Sequence, residues 1–177
     1  FKFSIGERDT CETLHFKNSL AMKQLILRNC PAFSSGSLKL YPQSSERPTY
    51  YPKRTPENAL IDWSQDVYLI DRFVRAQTKP FPGAYTFGPS GFRLIIWEAA
   101  PFDTVDFFQP YDSVAGEVMD VFPGGKFLVY CEGGLLLVHE YTSEASIVKG
   151  MILGEGKEEL KTFPRNKHGN FDLSQSS

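Results

Sequence analysis

Tyr50-Tyr51-Pro52-Lys53-Arg54-Thr55-Pro56-Glu57, continuing through Leu60-Ile61-Asp62-Trp63-Ser64 to Val74-Arg75-Ala76-Gln77-Thr78-Lys79-Pro80-Phe81-Pro82-Gly83-Ala84, decides how the chain divides. Prolines at 52 and 56 fix φ and remove two backbone donors, so this part reads as a stiff connector. Ser64 is a good N-cap, and Val67, Ile70 and Val74 recur at helical spacing with Phe73 beside them. That spacing predicts a helix from about Ser64 to just before Pro80. Pro80-Phe81-Pro82-Gly83 then turns the chain, and from Ala84 the apolar period shortens to two.

Downstream, Ala84 to Phe87 and Phe92 to Glu98 read as strands joined by Gly88-Pro89-Ser90-Gly91. Further strands are expected at Gly116 to Phe122, Lys126 to Cys131 and Leu135 to Tyr141, with Pro123-Gly124-Gly125 and Gly133-Gly134 as hairpin turns. Five or six short strands in about 75 residues fit a small closed or part-closed antiparallel OB-like β-barrel. Gly154 to Ser177 is polar and weakly patterned.

Upstream, Phe1-Lys2-Phe3-Ser4-Ile5 alternates as a strand does, and Gly6 ends it. Asp9 and Glu12 stand at the spacing of a capping box, which predicts a helix from Thr10 to about Asn29. Leu14, Ala21, Met22 and Leu25 form one apolar stripe of that helix, and Phe16, Leu20 and Leu27 a second. A helix apolar on two faces is expected to pack against something large, such as a sheet. Residues 31–58, rich in Pro, Ser and Tyr, carry neither period and read as a linker or a surface-hugging loop.

The 41% hydrophobic and 23% charged fractions are those of an ordinary globular protein. No apolar run approaches the roughly 18 residues that cross a bilayer, and residues 1–9 lack the pattern of a secretory signal. The absence of a starting Met leaves a fragment and a complete product both open. Cys11, Cys30 and Cys131 are odd in number and widely spaced, which favours a reducing, cytoplasmic setting over a disulfide scaffold. Charge is unevenly distributed. Residues 1–82 hold twelve Lys/Arg against eight Asp/Glu, whereas residues 83–162 hold five against twelve, a balance of −7.

Chemistry-bearing constellations are sparse. Cys11 and His15 share a helix face but have no third ligand nearby, so no metal is expected. His139 and Glu140 alternate along a strand and point to opposite faces. Asn166-Lys167-His168 lies in a polar tail that offers nothing to hold a base. The two glycine pairs lie between strands, not before a helix N-terminus, and so do not form phosphate loops. Lys53-Arg54 is a basic pair in a proline-bounded linker, and two readings stand. It anchors the linker to an acidic surface, or it contacts a substrate phosphate with little entropy to lose. Arg72 and Arg75 lie on one side of the second helix, where they pair with Asp71 or a neighbouring domain, or reach a ligand.

Tyr51, Lys53, Ile61-Asp62-Trp63, Arg75-Ala76 and Pro82-Gly83-Ala84 together resemble the segment joining the two domains of the methionyl-tRNA formyltransferase-like formyltransferases. Leu94-Ile95-Ile96-Trp97, Gly116-Glu117-Val118 and Gly134-Leu135-Leu136 are similar to that family's C-terminal barrel. Phe3-Ser4-Ile5 and Asp9-Thr10 resemble the tail of its catalytic domain. The resemblance implies an α+β chain. Residues 1–37 would be the terminal strand and helix of a Rossmann-like catalytic domain, 38–58 a linker, 59–162 a helix plus OB-like barrel, and 163–177 a polar tail.

Formyl transfer from 10-formyltetrahydrofolate to a primary amine is the activity this resemblance implies. The catalytic Asn, His and Asp of such enzymes match no residue here, so no catalytic residue is assigned, and folate is expected mainly outside this chain. Lys53, Arg54 and Arg75 are the expected substrate-binding residues. An acidic barrel repels a polyanion, so the expected acceptor is a small-molecule amine, a nucleotide-linked amino sugar. Initiator tRNA is the alternative acceptor. A non-catalytic binding or assembly module is the alternative of another class, and a half lacking its cover is expected to self-associate as a homo-oligomer.

Overall fold

A computed structural model describes residues 2–42, 51–107 and 113–154. It shows an α+β architecture of two helices and one five-stranded antiparallel sheet. The order of elements is α1 (Cys11–Ser34), α2 (Val67–Gln77), β1 (Ala84–Phe87), β2 (Arg93–Asp103), β3 (Val118–Val121), β4 (Phe127–Cys131) and β5 (Gly134–Ser143). Short 3-10 turns at Pro56–Ala59 and Pro89–Gly91 punctuate the connections. The polar tail and Asn166-Lys167-His168 lie outside the described residues.

Strand order in the sheet is β1-β2-β5-β4-β3. Its long pairing of β2 with β5 is interrupted by bulges around Glu98, where the strands bend. Thr86, Leu94, Ile96, Phe127, Val129, Leu136 and Val138 send their side chains to one fully buried face. α2 covers that face with Val67, Ile70 and Val74, the stripe expected from spacing. Each such burial contributes roughly 1.5–3 kcal/mol, which holds α2 to the sheet.

The sheet is closed by a strap, not by a sixth full strand. Gly150 N–H donates to the Val118 carbonyl at 2.8 Å, Val118 N–H to Met151 at 2.8 Å, and Leu153 N–H to Gly116 at 2.9 Å. On the other side, Gly154 N–H donates to the Phe87 carbonyl of β1 at 2.7 Å. Residues 150–154 therefore join the two edges of the sheet and satisfy backbone groups that would otherwise be open.

Four expectations need correction. Residues 2–5 form no strand. No described strand lies beside them, and the Ser4 carbonyl accepts from Lys17 Nζ at 3.2 Å instead. The cap of α1 is Thr10 with Thr13, not Asp9 with Glu12, because the Thr10 hydroxyl accepts from Thr13 N–H and the Thr13 hydroxyl from Thr10 N–H. The helix does not stop at Asn29 but runs through Pro31 to Ser34, since one missing donor near an end removes only one ladder bond. Ser64 is not the cap of α2. Its hydroxyl is committed to Asp62 Oδ1 at 2.6 Å, and Asp66 caps by accepting from Tyr68 N–H at 2.9 Å.

α1 spans 24 residues, yet Ala21 is its one buried residue. Phe16, Leu20, Met22, Leu25, Ile26, Leu27 and Phe33 are all exposed. Of the two apolar stripes read from the sequence, the first is covered at Ala21 and partly at Leu14, and Phe16, Leu20 and Leu27 of the second are exposed.

Candidate functional site

The basic residues singled out in the connector and α2 fall in two places. Arg54 lies at the start of the Pro56–Ala59 turn, where its Nη2 donates to the Asn58 carbonyl at 2.7 Å. Its guanidinium stacks over the Phe73 ring of α2, 5.7 Å from the centroid. Burial draws the Arg54 pKa below its ordinary value without discharging it. That desolvation is partial, since Arg54, like its neighbour Lys53, is exposed. The turn beneath them is held by Thr55, whose N–H donates to Asn58 Oδ1 at 2.8 Å. A proline-braced turn thus presents two cations, one of them already oriented by a carbonyl and a ring.

Arg75 is elsewhere. Phe73 and Arg75 are two residues apart on a helix and so point to nearly opposite sides. The Arg75 guanidinium donates through Nε to Asp71 Oδ2 at 3.1 Å and through Nη1 to the Asp9 carbonyl at 2.8 Å. Its side chain is 15% exposed and that of Asp71 6%. Arg8 approaches the other oxygen of Asp71 at 3.6 Å, beyond hydrogen-bonding distance, and among the described residues no donor reaches that oxygen. Two further contacts complete the joint between α1 and the turn after α2. The Cys11 thiol donates to the Thr78 carbonyl at 2.7 Å, and His15 meets Phe81 edge-on. Desolvation raises the Cys11 pKa, so this thiol stays protonated and acts as a donor.

Sequence spacing exposed the Asp71–Arg75 pair, four apart on α2. It gave no sign of Arg8 or of the Asp9 carbonyl, which tertiary structure brings from 66 residues away in Asp9's case. Asp9 itself anchors the loop before α1. Its carboxylate accepts from Lys17 Nζ, from Gly6 N–H at 2.6 Å and from the Thr13 hydroxyl at 2.8 Å. Those bonds, Lys17's first, hold its pKa down to about 2. A depressed carboxyl adds stability that is complete above the ordinary value of 3.8 and is lost as pH falls toward 2. Titration between these limits should shift the amide resonances of Thr10 to Thr13, and Asp9→Asn should remove that step. A step that survives the substitution would assign it to another group.

Asp62, in the Ile61-Asp62-Trp63 stretch, is also structural. Partial burial raises its pKa, but donors from the Ser64 hydroxyl, the Gln65 amide and Ser64 N–H outweigh this and leave it lowered. Among the described residues no group of three or more His, Cys, Asp and Glu could hold a metal, and no helix is long and apolar enough to cross a membrane. Gly124, Gly125 and Gly133, all at positive φ, turn between strands as expected.

Residues 53–150 match the family described as formyl transferase, C-terminal domain. A variant of HypX from Aquifex aeolicus superposes with a TM-score of 0.61 at 19% identity, covering 81% of this chain and 24% of that one. Another HypX structure from the same organism, in complex with tetrahydrofolic acid, gives 0.51 at 21% identity over 69% of this chain and 20% of that one. The chain thus spans about a quarter or less of the length of these HypX structures, and identities this low establish the fold alone.

Proposed function

Because the chain belongs to the formyl transferase C-terminal domain family, we propose that it is the C-terminal portion of an enzyme that formylates a primary amine. The donor in this reading is 10-formyltetrahydrofolate, and the acceptor is a nucleotide-linked amino sugar. Residues 1–37 then end a Rossmann-like catalytic domain that carries the groups acting on the formyl carbon and most of the folate contacts. The large apolar side chains that α1 leaves exposed, among them Phe16, Leu20, Ile26 and Leu27, support this arrangement. HypX with bound tetrahydrofolic acid supports the folate donor. Three free cysteines fit a cytoplasmic setting.

Charge carries the choice of acceptor. A nucleic acid is held chiefly by Lys and Arg on its phosphates, whereas residues 83–162 carry a balance of −7. A diphosphate needs only one or two cations, and Lys53 and Arg54 offer these at the connector. The test is formylation of a panel of nucleotide amino sugars by the full-length polypeptide. Product formation supports the reading, and formylation of charged initiator tRNA alone would replace the acceptor. The 177-residue chain by itself should release no folate product. Arg54→Ala should raise KM for the acceptor about tenfold, the loss expected for one charge-assisted hydrogen bond of roughly 1.5 kcal/mol. An unchanged KM would remove Arg54 from the acceptor site.

A further inference from the structure

Among the described residues, the hydrogen bonds and ion pairs that tie α1 and its leading loop to α2 and the following turn fall at Arg8, Asp9 and Cys11. From Phe16 onward α1 buries Ala21 and leaves its large apolar side chains exposed. A helix of 24 residues is about 36 Å long. The described polar ties lie at its N-terminal end, so a change in them can tilt its whole length.

The joint is polar and brittle. Asp71 is buried, and among the described residues Arg75 supplies the one hydrogen-bond donor to its carboxylate. Arg75 also spans the gap, since the same guanidinium holds the Asp9 carbonyl that leads into α1. A planar guanidinium can satisfy both acceptors at once, whereas an ammonium satisfies one well. Loss of Arg75 leaves a buried carboxylate that regains hydration only if the joint opens.

We propose that Asp71 and Arg75 are positioning residues, forming the pivot that fixes α1, and any domain packed on it, against the sheet unit. Their effect on formyl transfer is exerted through the seating of the acceptor between the two units, and not on the formyl carbon. That kinetic half rests on the formyltransferase reading above. The mechanical half does not.

The experiment compares wild type, Arg75→Gln and Arg75→Lys in the full-length polypeptide by amide hydrogen exchange and steady-state kinetics. In Arg75→Gln, amides of residues 9–15 and 78–83 should exchange about tenfold faster while β2, β4 and β5 keep their protection, the pattern of a local opening. KM for the acceptor should rise about five- to tenfold with kcat within about twofold, because uniform binding is lost and chemistry is not. Arg75→Lys should recover part of both effects. Unchanged exchange at the joint, faster exchange throughout the sheet, or a fall in kcat at constant KM would each overturn the proposal. If wild type formylates no amine, the formyltransferase reading fails, and the exchange comparison alone still decides the pivot.

Discussion

Trp63→Ala should destabilise the sheet unit by about 3–5 kcal/mol, read as a shift of the denaturant midpoint at constant slope. Trp63 is 5% exposed and stands where the connector, β1 and the closing strap converge. Its indole N–H donates to the Thr86 hydroxyl at 3.0 Å, and both groups are buried. Two glycines make room for the ring. A Cβ on Gly116 would lie 3.2 Å from its Cγ, and one on Gly154 3.0 Å from its Cδ1. Removing the ring therefore leaves a cavity bordered by the strap, in addition to an unmatched hydroxyl. Trp63→Phe separates the two contributions. It keeps most of the volume, removes the donor, and should cost about 1–3 kcal/mol. Equal losses for Phe and Ala would mean that the hydrogen bond, and not the packing, dominates.

Gly116→Ala should cost about 2–5 kcal/mol, because two penalties act together. At φ +90° a side chain is strained. The added Cβ would also lie 2.4 Å from the Leu153 carbonyl oxygen, which is backbone and cannot rotate away. Relief requires the strap to withdraw, with loss of the Leu153-to-Gly116 hydrogen bond that helps close the sheet. Gly124→Ala is the matched control. It has nearly the same φ, +91°, but nothing within 4 Å of the new Cβ, so only the backbone penalty of about 1 kcal/mol applies. If the two variants melt together, strap closure contributes nothing to stability. The strap also holds the edge that Phe87 presents, so its release should expose β1 to exchange before the centre of the sheet.

How much of this was readable in advance depends on the range of the forces involved. Val67, Ile70 and Val74 announced α2 because one buried face imposes helical spacing on its own sequence. Gly124, Gly125 and Gly133 announced the hairpins because a positive φ is a local demand. The strap was invisible. Met151, Ile152 and Leu153 make too short an apolar run to show a period, and their partners Gly116, Val118 and Phe87 are supplied by the fold. Residues 2–5 showed the opposite failure, since alternation without a neighbouring strand leaves backbone groups unpaired and no ladder forms.

At the candidate site the same division holds. Pro52 and Pro56 marked Lys53 and Arg54 as a braced basic pair, and the structure adds that Asn58 and Phe73 orient Arg54. Arg75 was legible as a cation beside Asp71, but its second bond, to the Asp9 carbonyl, is a long-range contact. The sequence by itself determined the order of helix, connector, helix and antiparallel strands, the turns between them, and the acidic balance of the sheet half. Each of these follows from periodicity, backbone conformation or charge that neighbouring residues carry. Only the tertiary structure decided which cations face solvent and which are spent on the joint, where the sheet closes, and that most large apolar side chains of α1 stay exposed. Those outcomes depend on distances between residues far apart in the chain, which no local pattern encodes.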